Sequence, residues 1–220
     1  MKLSMRLVLG LTVALVSGCR DINLLDVREG TEGYRIVGTV LDGLDNPIAG
    51  LGIRLFYGTE YVSGSPVPQR EYVLQSPGEF VLVDVYNLAG GHVRSLYAGT
   101  PVGTSLLVQW NKRNSAGALV PSGIYFVRYT VNGSTRHSYT VVVDGHVSAT
   151  TDTNGVFIIP DNLLPVGYYP APLYSGADAF LGNYRIQNLA YLEFTVGANT
   201  YVYSVVLELN QTKRLLVRVR

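Results

Sequence analysis

Beyond residue 30, no stretch of the chain keeps a helical hydrophobic period over three turns. Apolar and polar positions alternate instead over short runs, and Gly, Pro, Asn and Asp interrupt them. This pattern predicts strands over 34–41, 53–57, 79–87, 106–110, 123–131, 138–143, 155–159, 192–196, 201–209 and 214–219. Turns are predicted at Leu44-Asp45-Asn46-Pro47, Ala89-Gly90-Gly91, Asn114-Ser115-Ala116-Gly117, Asn132-Gly133 and Thr153-Asn154-Gly155. Asn132-Gly133, between two runs rich in Tyr and Val, predicts a type I′ hairpin, whose central residues both need positive φ. Residues 160–183 are rich in Tyr, Pro and Gly, and no strand is predicted there. Many short strands separated by frequent turns predict an all-β fold of packed sandwiches.

The first residues follow a different pattern. Lys2 and Arg6 precede an apolar run over 7–16, which is shorter than the roughly 20 residues a spanning helix needs. It has the form of a signal-peptide core. The run ends in Val16-Ser17-Gly18-Cys19, which resembles the lipobox of bacterial lipoproteins. That resemblance implies a signal peptide over 1–18, a diacylated thiol at Cys19 and an acylated new N-terminus. Cys19 is then the lipid attachment point and the membrane the first partner. The competing reading is an ordinary secretory peptide with a chance cysteine. Acyl chains contribute about 0.8 kcal/mol per buried CH₂, so several hold far more firmly than one. Arg20 stands where the inner-membrane retention signal has Asp, although Asp21 follows one place later; this favours the outer membrane or cell surface. Residues 19–33 form a polar tether. Arg20–Gly33 reaches at most roughly 45–50 Å when extended, unless Leu24 and Leu25 dock on the domain.

Composition sharpens this picture. Cys19 is the only cysteine, which excludes an intrachain disulfide and a cysteine metal cluster. The two methionines, Met1 and Met5, lie in the segment to be removed. Lys and Arg number 17 against 16 Asp and Glu, and loss of Lys2 and Arg6 makes the mature chain slightly acidic. This balance argues against a general nucleic-acid binder.

Two further resemblances bear on architecture. Phe80-Val-Leu-Val-Asp-Val-Tyr-Asn-Leu-Ala-Gly-Gly-His-Val-Arg-Ser-Leu-Tyr97 is followed by Val108-Gln-Trp-Asn111, Asn114-Ser-Ala-Gly117 and Val120-Pro-Ser-Gly-Ile-Tyr-Phe126. This succession resembles the immunoglobulin-like domain of the flagellar hook-capping protein family. Trp110-Asn111-Lys112-Arg113 stands where that family usually has Trp-Asp-Gly-Arg. Separately, Ile36-Val-Gly-Thr-Val-Leu-Asp-Gly-Leu-Asp-Asn-Pro-Ile-Ala-Gly50 and Gly52-Ile-Arg-Leu55 resemble the opening of a carboxypeptidase regulatory-like, transthyretin-like domain. That family's next element, Thr-Asp-x-x-Gly-x-Phe, occurs far downstream as Thr151-Asp-Thr-Asn-Gly-Val-Phe157. Together the two resemblances imply two immunoglobulin-like or prealbumin-like sandwiches. Residues 34–60 and 146–220 would form the outer one, with 61–145 inserted in a loop. Three tandem partial β units are the competing arrangement.

Candidate chemistry is sparse. His92, His137 and His146 have no partner at metal-ligand spacing, no Gly-x-Ser-x-Gly elbow is present, and no phosphate loop follows Gly90-Gly91. A Ser-His-Asp set assembled in space stays open. Thr150-Thr-Asp-Thr-Asn-Gly155 partly resembles a calcium loop, but Thr150 occupies the acidic first place. A turn is the better reading there, with a weak Ca²⁺ site at Asp152 as the alternative. Arg214, Leu216, Arg218 and Arg220 fall on one face of a strand, as a charge-protected edge or as a contact for anionic head groups. Tyr168, Tyr169, Tyr174 and Tyr184, with Phe180 and Tyr191 nearby, are the candidate contact residues for a protein or a glycan. Filling the end of the sandwich is their alternative role. No catalytic residue, metal or cofactor is nominated. The function expected is that of a non-catalytic, membrane-anchored surface lipoprotein serving as a structural or protein-interaction module, the alternative being glycan binding.

Overall fold

The computed structural model describes residues 33–175 and 178–219. Among them the regular structure is almost all strand. The first half holds β1 (Tyr34–Leu41), β2 (Gly52–Ser63), β3 (Glu71–Val73), β4 (Val81–Asn87), β5 (His92–Gly99), β6 (Ser105–Leu107) and β7 (Gly123–Val131). The second half holds β8 (Ser134–Val143), β9 (His146–Thr150), β10 (Val156–Ile159), β11 (Ala171–Tyr174), β12 (Phe180–Val196), β13 (Asn199–Val206) and β14 (Gln211–Arg218). One 3-10 turn, Asp161–Leu163, follows β10.

Strand pairing divides the chain. A three-stranded sheet has the order β10-β1-β14, and a five-stranded sheet has the order β11-β12-β2-β9 with β13 also on β12. Both draw only on the segments around β1–β2 and β9–β14. The intervening strands form a four-stranded sheet, β5-β4-β7-β8, and a two-stranded one, β3-β6. All of these lie in one compact unit, residues 31–220.

Alternation explains the cores. In β4, Val81, Val83 and Val85 point inward and are buried with Val127, Tyr129 and Val131 of β7. Ile36, Val40, Leu55, Phe157, Leu192 and Phe194 fill the space between the three- and five-stranded sheets. Each fully buried aliphatic side chain contributes about 1.5–3 kcal/mol relative to exposure. The opposite face of β7 joins the two bodies: Ile124 is 1% exposed and, with Val142 at 7%, belongs to the first core rather than the second.

Asn132 and Gly133 adopt φ of 49° and 79°, the type I′ hairpin that their sequence predicts. Several expectations need correction. Residues 160–183 are not free of strand, since they contain β11 and the start of β12. Pro172 is tolerated because β11 is an edge strand. The strand predicted over 106–110 is Ser105–Leu107, because the chain then turns into the Trp110 loop. The turn predicted at 153–155 is present, with Gly155 at a φ of 71°. Strands β3, β5 and β9 were not predicted at all, and β2 continues past Tyr57 to Ser63.

Candidate functional site

The chain leaves the inner strands through Asp144-Gly145, and this junction is built from polar contacts. Tyr57 N–H donates to Asp144 Oδ1 at 3.0 Å, and Gly145 N–H donates to the Leu55 carbonyl at 2.9 Å. Arg54 Nε donates to the Gly145 carbonyl at 2.7 Å. Gly145 must be glycine: its φ is 72°, and a Cβ would lie 2.5 Å from the Phe56 ring. Burial pushes the Asp144 carboxyl above its ordinary pKa, while N–H donors from Tyr57 and Gly145 and the nearby His146 oppose that shift. Ser122, fully buried, donates its hydroxyl to the Leu55 carbonyl at 2.6 Å and accepts His146 N–H at 3.0 Å.

Beside this junction lies a cleft of about 880 Å³. Arg70, Trp110, Lys112 and Asp144 line it together with Tyr174 at the end of β11 and Asp178 of the β11–β12 connection. The Arg70 guanidinium lies 3.6 Å from the centroid of the Tyr174 ring and pairs with Asp178. Among the described residues, Arg70 Nε and the Tyr174 hydroxyl are buried without a hydrogen-bond partner. Lys112 takes a φ of 59°, in the left-handed region. Trp110 packs on Tyr125 at 5.0 Å between centroids and donates Nε1–H to the Arg113 carbonyl. The cleft therefore offers the Asp144 carboxyl, amide and cationic groups, and aromatic edges. Such a set suits polar ligands.

The four candidate tyrosines do not converge on one surface. Tyr168 packs against the first core. Tyr169 is exposed, with the Arg185 guanidinium 5.9 Å from its ring centroid. Tyr184 meets Tyr61 edge-on at 5.5 Å. Only Tyr174 reaches the cleft, and it lies on a strand rather than in a loop. Cys19 lies outside the described residues.

At Asp152, Oδ1 accepts the N–H groups of Asn154 and Val156 at 2.8 and 2.9 Å, so it is committed to the turn. Among the described residues no group of three or more His, Cys, Asp or Glu side chains could hold a metal ion. On β14, Lys213 pairs with Glu208, and Arg218 pairs with Asp45 at 2.6 Å.

The sequence contains no motif for one cluster that the fold assembles. Asp84 and Ser95 face each other across β4 and β5, and Ser95 Oγ donates to Asp84 Oδ1 at 2.6 Å. His92 Nε2 lies 3.2 Å from the same carboxylate oxygen and 3.3 Å from Ser95 Oγ. This is not a nucleophile relay. Both neighbours share one imidazole nitrogen, and the serine proton already points at the carboxylate. The cross-strand register that builds the cluster is invisible before the strands are paired. The remaining histidines face carbonyls: His137 Nε2 that of Gln69 at 2.9 Å, and His146 Nδ1 that of Val120 at 2.7 Å.

No protein-family model, curated protein or solved structure matches the chain.

Proposed function

We propose that this protein is a non-catalytic lipoprotein, anchored through Cys19 at the outer membrane or cell surface of a bacterium, and that it works as a structural or protein-interaction module. The carrying observation is Val16-Ser17-Gly18-Cys19 after a short apolar run, joined to a fold by a tether of limited reach. The likeness of two segments to the hook-capping immunoglobulin-like domain and to the carboxypeptidase regulatory-like domain supports a scaffold role, since both families supply β-sandwich modules. Where the described chain begins, Gly33 is held to the β13–β14 connection. Gly33 N–H donates to Asn210 Oδ1 at 2.9 Å, and Asn210 N–H donates to the Gly33 carbonyl at 2.7 Å. Fractionation of expressing cells tests the anchor. Cys19→Ala should move the protein from the membrane to the soluble fraction, and persistence in the membrane overturns the reading.

The cleft beside Tyr174 favours a second reading, binding of a glycan. Gln109, Asn111 and Asp178 offer planar polar groups beside an aromatic ring, the combination that recognises sugar hydroxyls. A glycan array probed with wild type and Tyr174→Ala decides it: the array should light up only for wild type, and a blank array removes the reading.

A further inference from the structure

Sheet edges carry unpaired backbone N–H and C=O groups, and proteins blunt them with charge, proline, bulges, short length or a covering segment. The described edges here follow that practice with one exception. β14 carries Lys213, Arg214 and Arg218. β10 has four residues, and so does β11, which also holds Pro172 and breaks register between Leu173 and Tyr174. β9 is covered by the Val120–Ser122 segment, with Ser122 N–H donating to Ser148 Oγ at 3.1 Å. β5 carries His92 and Arg94 and shifts register twice against β4. β8 carries Arg136 and His137. β13 is different. It reads Asn199-Thr-Tyr-Val-Tyr-Ser-Val-Val206, without charge, proline or glycine, and pairs with β12 in unbroken register. No described strand lies on its other side.

The geometry of that edge follows from its hairpin. β12 and β13 are joined by Gly197-Ala198, with Gly197 at a φ of 60°, so Val196 and Asn199 form the closing hydrogen-bonded pair. Counting from there, Asn199, Tyr201, Tyr203 and Val205 bond to β12. Thr200, Val202, Ser204 and Val206 direct their N–H and C=O groups outward. The side chains of these four are also exposed, with Val202 at 58% and Val206 at 57%. The inward side is fixed, because Tyr201 and Tyr203 stack on Phe194 at 5.8 and 5.7 Å and Val205 is buried.

We infer that β13 is an assembly edge that pairs antiparallel with β13 of a second copy of this chain. Pairing with a second copy opposes no charges, because β13 carries none, and it meets each outward N–H and C=O group with its counterpart on an identical strand. Opposed residues of an antiparallel pair point to the same face, so the twofold axis passes through a residue. Placed at Tyr203, it opposes Val202 to Ser204 of the second copy and Thr200 to its Val206. All four outward residues are then used, giving about eight backbone hydrogen bonds. A twofold contact of this kind is closed, so assembly stops at two copies instead of growing into a fibre. The inference does not depend on the lipid anchor.

The test uses the chain carrying Cys19→Ser, which removes acylation and the native thiol. Sedimentation equilibrium should give twice the chain mass. Val202→Lys with Val206→Lys should return it to a single-chain mass with an unchanged far-ultraviolet spectrum. Ser204→Pro provides a second disrupting variant, since it removes an outward N–H and leaves the β12 ladder intact. For the register, Val202→Cys and Ser204→Cys chains should form a disulfide when mixed and oxidised, and neither should do so alone. A single-chain mass for the parent at every concentration overturns the assembly. So does a double mass that survives both disrupting variants. Cross-linking of either cysteine variant by itself overturns the Tyr203 axis.

Discussion

The carboxylate of Asp144 accepts the backbone N–H of Tyr57 at 3.0 Å, tying the return from the inner strands to the middle of β2. Burial raises the pKa of this acid in the folded state, so between its ordinary value and the raised one the folded protein binds more proton than the unfolded chain. Stability from this group is therefore greatest below that window and falls as pH rises through it. Asp144→Asn keeps an acceptor for Tyr57 and removes the titration. Urea unfolding across pH 3–7 should show the parent losing stability relative to Asp144→Asn as pH rises. Asp144→Ala leaves the Tyr57 amide without its acceptor and should cost about 1–3 kcal/mol at every pH. Equal stability of the Ala and Asn variants would contradict this account.

Ser122 performs a related task without charge. Its hydroxyl donates to the Leu55 carbonyl and accepts the His146 N–H inside a fully buried site. In Ser122→Ala the Leu55 carbonyl keeps the Gly145 N–H, but the His146 amide loses its acceptor. The expected loss is about 1–3 kcal/mol. Hydrogen exchange should localise it, with the His146 amide losing protection while Val83 and Val127 in the inner core keep theirs. Uniform loss across both cores would mean that the hydroxyl is not a local staple.

Legibility in the sequence followed local periodicity. β1 is a short, mostly apolar run bounded by turn residues, β7 alternates from Tyr125 onward, and Asn132-Gly133 carries its turn type in two residues, so all three could be read directly. β12 could not. Its register breaks between Ile186 and Ala190, and this places Gln187 and Asn188 in the middle of a strand with no alternation to follow. β11 hides behind Pro172, and β9 is a short, mostly polar run whose place is set by β2 and Ser122 rather than by its own propensity. The site was less legible still. Arg70, Asp144 and Tyr174 come from three distant segments, and only sheet pairing brings them together. The Tyr-rich stretch suggested one aromatic surface, but strand geometry sends Tyr168 to the core, Tyr184 to Tyr61 and Tyr174 to Arg70.

The contact between Arg70 and Tyr174 should matter more than the ion pair between Arg70 and Asp178. The Asp178 side chain is 51% exposed, and an ion pair of that kind contributes at most about 1 kcal/mol and weakens in salt. The guanidinium over the Tyr174 ring is more sheltered, and such a contact is worth about 0.5–2 kcal/mol. Double-mutant cycles with Arg70→Ala should give a larger coupling to Tyr174→Leu than to Asp178→Asn. Only the second coupling should fall between 0.05 and 0.5 M salt. The reverse ranking would show that charge, not stacking, holds this wall of the cleft.

Lys112 is held at a φ of 59°, a left-handed conformation that costs an ordinary L-residue about 1–2 kcal/mol. The turn nevertheless closes, because Val120 N–H donates to the Lys112 carbonyl at 3.0 Å and Trp110 Nε1–H donates to the Arg113 carbonyl at 2.8 Å. Glycine reaches this conformation without the Cβ penalty but loses about 0.5–1 kcal/mol more through unfolded-chain entropy. The strain relieved exceeds the entropy lost, so Lys112→Gly should stabilise the chain by about 0.5–1 kcal/mol. Lys112→Val, with branching at Cβ, should destabilise it by a comparable or larger amount. Thermal unfolding of the three chains should rank Gly above Lys above Val. The Gly variant also removes a cation from the cleft, so binding and stability can be separated there by comparison with Lys112→Arg, which keeps both the cation and the strained φ. If Lys112→Gly lowers the unfolding temperature, the positive φ at this position is not a source of strain in the folded protein.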